Sequence, residues 1–423
     1  MTTTSKTTPL NAWHRGRNAN MADFGGYDMP LWYASVKDEH LAVLTGAGLF
    51  DTSHMAAIAV SGPGAGDLLQ YCFTNDLAAC LGPSKKALVP GRSVYGAFLD
   101  ARGFTIDDAI VFFLEENSYM VVVNAGMGPT VAGHLKAHTG DRDAVVSDLS
   151  DRLGKIDIQG PASARILSRV LADPEAVFDG MVYFSFKGHW DSASSLADGV
   201  RLDDGTPVLL SRTGYTGEFG FEIFMAPGQL QQLWQRLLKA GEADGIRPCG
   251  LAARDSLRVG AVLPLSHQDI GNWPFINHPW LFALPFTAGK TAFSKDFIGR
   301  QALEGTPDAD FTYAFVGNDL RKIKSGEGSR VIDADGREIG TVLTCATDMA
   351  IGMADGTIYS IASPDRPQGF NPKGLCCGFI KVSGQQAVGQ QVKIADARRT
   401  LTVAVTNDIR PHRTARRPIG KML

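Results

Sequence analysis

The sequence contains no run approaching the ~20 consecutive apolar residues that a membrane span requires, which excludes a helical membrane protein. Charge of one sign is also missing. With 41 Lys and Arg against 44 Asp and Glu, the net charge is −3, so nothing electrostatic argues for nucleic acid or a membrane surface as partner. Cysteine is sparse: Cys72, Cys80, Cys249, Cys345, Cys376 and Cys377 are too few in 423 residues for a disulfide framework. That scarcity points to a reducing, cytoplasmic setting. The opening stretch MTTTSKTTPLNAWHRGRNAN has no apolar core and does not read as a secretory signal.

Familiar catalytic motifs are missing as well. No Walker loop and no G-x-S-x-G elbow occurs. The stretch SGPGAGDLL places Gly62, Gly64 and Gly66 after a strand-like run, but Asp67 stands where a dinucleotide loop needs spacing for its third glycine. Cys376 and Cys377 are adjacent rather than two apart, which argues against metal ligation. His267, Asp269 and His278 in SHQDIGNWPFINHPW fit no helical or turn-based ligand set and are expected to be structural. No metal site is expected.

What is present is a mixed α and β texture long enough for two or three domains. AAIAVSG (56–62) alternates like a strand, and a helix is expected to begin at Pro63. DDAIVFFLEENSYMVVVNAG (107–126) reads as two apolar strands joined by a polar hairpin. Apolar residues at three- and four-residue spacing predict helices over 160–172 and 228–245. From about 326 the chain breaks into short β runs with Asp-Gly and Gly turns, which predicts a separate, mostly β domain.

The stretch LLSRTGYTGEFGFEIFM (209–225) combines glycines at 214, 217 and 220 with Glu222 inside an aromatic strand. Glycine at such spacing marks tight turns or close approach of another group. Phe221 and Ile223 fall on one face of the strand, Glu222 and Phe224 on the other. A carboxylate there either is paired, for example with Arg212, or receives a ligand. Asp107 and Asp108 in FTIDDAIVF are neighbours, so on a strand only one of them is expected to face a site.

Together and in this order, GGYDMPLWY, GLFDTSHM, RSVYGAFLDARGFTIDDAIVF, VVVNAG, DIQGPASA, SRTGYTGEFGFEIF and CGLAARDSLR resemble the glycine-cleavage T-protein family, the tetrahydrofolate-dependent aminomethyltransferases. The resemblance runs from about residue 8 to about 262 and resumes at KDFIGRQAL (295–303). It implies an α+β, three-domain, clover-like fold around a central channel. Residues 1–300 would form a folate-binding module of two interleaved domains, and 310–423 a C-terminal β-barrel domain.

The resemblance also implies residue roles. Glu222 matches the carboxylate that grips the paired N–H donors of the pterin, an arrangement that is strong and directional. Asp108 matches the catalytic aspartate, where a buried carboxylate would stabilise cationic character at the transferred carbon and relay a proton. Arg254 matches an arginine for folate carboxylates, and Tyr95, Tyr183 and Tyr215 match aromatics beside the pterin and benzoyl rings. Asn124 matches a cofactor-contacting amide and Met55 a site-lining methionine. Aromatics in β runs are also common core residues.

Some segments depart from the family pattern. Val259 stands in LRVGA where the family carries glutamate, and Ser266 in LSHQD where it carries tyrosine. Residues 266–286 are rebuilt with two tryptophans, and 345–365 shows few family residues. Three functions therefore fit. One is aminomethyl transfer from a lipoyl carrier protein to tetrahydrofolate. Another is folate-dependent methyl transfer from a small S-, N- or O-methyl donor, for which an aromatic segment would suit a cation. The third is a non-enzymatic folate-binding protein, whose KGC-type signature is missing here while the aspartate is kept.

Overall fold

The computed structural model describes residues 5–304 and 309–423. Strands Arg92–Leu99, Thr105–Glu115, Ser118–Val123, Ala56–Ser61 and Val145–Asp148 form, in that spatial order, an antiparallel five-stranded sheet. Helices Ala65–Cys72 and Gly128–Ala137 belong to it, and the core holds Ile58, Val60, Leu68, Leu69, Val121, Val131 and Leu135. The polar hairpin expected between 107 and 126 is present. The helix expected at Pro63 begins at Ala65.

A six-stranded sheet orders Phe186–Gly188, Leu209–Ser211, Gly220–Met225, Gly154–Gln159, Gly48–Asp51 and Arg247–Pro248. Its strands come from both sides of the five-stranded sheet in sequence, so the two units interleave along the chain. Phe221, Ile223 and Met225 turn to a core with Leu233, Trp234 and Leu237 of helix Leu230–Ala240, while Phe224 packs on the other side with Phe112 and Phe186. The alternation read from the sequence holds. The helix predicted over 160–172 does not: only Ser163–Leu167 is α-helical, and the chain turns at Leu171, which bridges to Leu202. Tertiary pairing overrides a local helical pattern there.

The C-terminal part is a closed barrel of Asp310–Gly317, Leu375–Ser383, Glu338–Asp348, Arg330–Ile332, Gln391–Ala395 and Thr400–Thr406. Closure comes from Thr400–Thr406 pairing back on Asp310–Gly317. The first barrel strand, Asp310–Gly317, precedes the change of texture at 326.

Buried ions join these units. Arg410, after the last barrel strand, pairs with Glu218 at 3.0 Å and also with Asp348, whose other oxygen lies 3.1 Å from His40 Nε2. All four are essentially inaccessible to solvent. A guanidinium so enclosed has its charge matched by Glu218, from the loop leading into strand Gly220–Met225, and by Asp348, at the end of a barrel strand.

Candidate active site

Between the two sheets and the barrel lies a cavity of about 1820 Å³. Met55, Tyr95, Asp108, Asn124, Tyr183, Tyr215, Glu222 and Arg254 all line it. Residues spread from 55 to 254 converge from inward-facing strand positions, strand ends and the helix Leu251–Gly260, with Tyr183 and Tyr215 contributed by the connections ahead of strands Phe186–Gly188 and Gly220–Met225.

Asp108 faces the cavity from strand Thr105–Glu115, while Asp107 is fully buried behind the wall. The strand's alternation accounts for this split, yet the two carboxylates are not independent. Asn124 Nδ2 donates to Asp107 Oδ1 at 2.8 Å and to Asp108 Oδ1 at 2.6 Å, and its backbone N–H reaches Asp107 Oδ2 at 2.9 Å. The Tyr95 hydroxyl donates to Asp108 Oδ2 at 2.8 Å. Burial pushes the Asp108 carboxyl up to about 7, with the neighbouring Asp107 charge adding to it and the two hydrogen bonds opposing it. A carboxyl titrating near neutrality suits proton transfer in both directions. Asn124 thus holds the aspartate pair through its amide hydrogens, a use the sequence did not disclose.

Glu222 is both paired and at the cavity wall. Lys155 Nζ lies 2.5 Å from Glu222 Oε1 and 2.6 Å from Asp157 Oδ1, and Thr213 Oγ1 donates to the second Glu222 oxygen. The partner is therefore Lys155 and not Arg212. Arg212 is buried against Phe219 and donates to the carbonyls of Gly220, Ala415 and Arg417. Lys155 escaped the sequence analysis because strand positions 155 and 222 meet only through the pairing of Gly154–Gln159 with Gly220–Met225.

The glycines of 214–220 answer to the protein's own packing. A side-chain carbon at Gly214 would stand 2.1 Å from Gln159 Oε1, and at Gly220 2.6 Å from Gln159 Cδ. Gly217 has φ +75° and also faces Ala261. The approaching group is Gln159.

Arg254 is committed to protein partners: Nη1 lies 3.3 Å from Asp157 Oδ2 and the guanidinium stands 4.6 Å from the Tyr215 ring centroid. The Tyr215 hydroxyl donates to the Pro264 carbonyl. Arg416 covers Tyr183 at 5.3 Å, and Arg413 and Arg416 both line the cavity, so part of the basic C-terminal stretch belongs to the site. Their signal in the sequence was a charge run, which usually marks a solvated face.

Further histidines belong to the cavity. His54 lines the cavity, 4% exposed, with a buried Nδ1 that has no hydrogen-bond partner. Burial pushes it down to about 4. His267, expected to be structural, also lines the cavity. It sits at φ +63° with Nε2 3.5 Å from Asp107 Oδ1, and that contact raises its pKa. A non-glycine residue in the left-handed region at a cavity wall is the kind of strain found at functional sites. Asp269 is held by protein partners, whereas His278 also lines the cavity. Asp269 pairs with Arg258 and accepts from Thr344 at 2.6 Å, and His278 is stacked between Trp273 and Trp280. Val259, where a glutamate was missing, is fully buried against the barrel-side core.

A cavity between the two sheets and the barrel, with a neutral-range carboxyl clamped beside aromatic walls and a second carboxylate paired with a lysine, is equipped for acid–base chemistry on a bound ligand. The sequence model described as the GCVT N-terminal domain matches residues 10–273. An aminomethyltransferase of Streptomyces avermitilis is 41% identical over 301 residues, covering 70% of this chain and 72% of that protein. One from Geobacillus kaustophilus is 37% identical over 339 residues, covering 80% and 86%. The crystal structure of the glycine cleavage system aminomethyltransferase T from Bartonella henselae superposes with a TM-score of 0.74 at 27% identity, covering 95% of this chain and 96% of that one. The chain belongs to the glycine-cleavage T-protein family, the aminomethyltransferases, and is a transferase.

Proposed function

We propose that the cavity binds tetrahydrofolate and that the chain passes an aminomethyl group to it from a lipoyl carrier protein, releasing ammonia. The observation that carries this is the arrangement of Asp108, held by Tyr95 and Asn124, in the same cavity as Glu222. The donor set fits a folate. Glu222 is fixed by Lys155 and Thr213 but retains acceptor capacity toward the cavity, since each carboxylate oxygen takes two hydrogen bonds. Tyr95, Tyr183 and Tyr215 offer ring faces, and Arg413 and Arg416 offer cations to a carboxylated tail. Met55 supplies adaptable apolar lining.

Tetrahydrofolate, when bound, supplies the nitrogens that accept the one-carbon unit. Over the whole reaction two N–H protons leave those nitrogens, one ending on ammonia and one on the lipoyl sulfur. Asp108 accepts a proton at the carboxylate and returns it to a leaving group, and its negative charge stabilises cationic character on the transferred carbon. Tyr95 and Asn124 fix the carboxyl and keep its pKa from rising further. Asp107 works through Asn124 as a positioning group. We also assign residues 1–300 to the folate-binding module and 310–423 to the barrel domain.

The small methyl donor gains no support from the rebuilt segment. Trp273 and Trp280 are buried, stack on His278 and donate to Thr312 Oγ1 and the Val262 carbonyl, so they form no open cage for a methylated cation.

The test is calorimetric titration with tetrahydrofolate, followed by presentation of aminomethyl-lipoyl carrier to the complex. Saturable binding and stoichiometric ammonia release are expected. Binding without turnover would overturn the donor assignment, and no binding would overturn the folate assignment.

A further inference from the structure

Behind the five-stranded sheet, away from the cavity, Cys72 ends helix Ala65–Cys72 and faces helix Gly128–Ala137. His134 lies on that second helix and His138 directly follows it, four residues on and so one turn away on the same face. One ligand atom from each of Cys72, His134 and His138 lies within 4.8 Å of the others, and this is the one such cluster of three among the described residues.

We propose that Cys72, His134 and His138 form a structural site for a borderline-soft divalent cation of the zinc type. The state of the three groups favours a ligand. Cys72 is a buried, free thiol. His134 Nε2 is buried with no hydrogen-bond partner. His138 Nδ1 bonds the His134 backbone carbonyl at 2.8 Å, which orients the ring and leaves Nε2 as its ligating atom. A metal-bound imidazole is commonly held in that way through its second nitrogen. The rings are already close, with centroids 4.6 Å apart. One thiolate and two imidazoles match zinc or cobalt and do not match calcium or magnesium, which take oxygen. Binding displaces the Cys72 thiol proton to solvent and leaves a fourth position for water. None of the three residues lines the cavity. The ion would clamp the two helices behind the sheet that carries Tyr95 and Asp108, His134 touching the sheet through Phe98 at 6.2 Å between ring centroids.

The full-length protein, stripped with a chelator and dialysed, is titrated with Zn²⁺ by calorimetry and with Co²⁺ by absorption spectroscopy. One equivalent of each should bind, Co²⁺ giving a thiolate charge-transfer band and the d–d intensity of a tetrahedral site. Cys72→Ser should abolish the charge-transfer band. His138→Gln, at a half-buried helix end where folding is little disturbed, should weaken binding of both ions by about tenfold or more. Far-UV circular dichroism of each variant establishes that it is folded. Absence of stoichiometric binding, or binding that both folded variants retain unchanged (an adventitious ion only), overturns the site.

Discussion

The Tyr95 hydroxyl stands 2.8 Å from Asp108 Oδ2 and holds a buried carboxyl that titrates at about 7. This bond joins adjacent strands, Arg92–Leu99 and Thr105–Glu115, and it opposes the upward push of burial. Removing it in Tyr95→Phe should move the Asp108 pKa higher. The acid limb of the kcat profile then shifts to higher pH while tetrahydrofolate affinity changes little. A limb that stays in place would mean that another group controls it.

Asp108→Asn removes the proton acceptor and keeps the shape. Steady-state ammonia release should fall by about 10²–10⁴-fold, with tetrahydrofolate titration giving nearly the wild-type affinity. Retained turnover would exclude Asp108 as the catalytic carboxylate.

The same carboxyl has a consequence for stability. Its folded pKa, about 7, is raised above the ordinary 3.8. Its contribution to stability is therefore complete below pH 3.8 and is lost as pH rises through 7. Asp108→Asn cannot ionise, so urea denaturation should find it closest to wild type at pH 3.8 or below and increasingly more stable than wild type as pH rises to 8. Equal effects at both pH values would contradict the raised pKa.

Lys155 is almost fully buried between Asp157 and Glu222. Lys155→Met strands carboxylates in the wall and should cost about 3–5 kcal/mol in chemical denaturation. Glu222→Gln keeps the size but weakens charge-assisted hydrogen bonds, so calorimetry should show tetrahydrofolate binding lower by about 1.5–3 kcal/mol. Unchanged affinity in a folded Glu222→Gln variant would remove Glu222 from the binding site.

His267 is half exposed and its pKa is raised above 6.5, chiefly by its hydrogen bond to Asp107. Its stabilising contact is complete below pH 6.5 and is lost as pH rises through the raised native value. A thermal scan of His267→Gln should therefore show its deficit against wild type at pH 6 shrinking by pH 8.5. A deficit independent of pH would show that the histidine acts through packing alone.

The sequence by itself determined the α+β character, the hairpin of 107–126, the alternation of Phe221 to Phe224 and the residues gathered in the cavity. These are legible because period-two patterning and local turn chemistry are properties of neighbouring residues, and because the ordered motifs resemble a known family. The tertiary structure alone decided which charges meet. Lys155 reaches Glu222 through strand pairing across 67 positions, His267 reaches Asp107 although far from it in sequence, and Arg410 is matched by Glu218 from a loop and Asp348 from the barrel. It also decided that 160–172 would not be one helix, and that Gly214 and Gly220 make room for Gln159 rather than for a ligand. Electrostatic pairing and close packing depend on distances in space, and a strand's sequence states only which face a side chain takes, not what waits on the strand beside it.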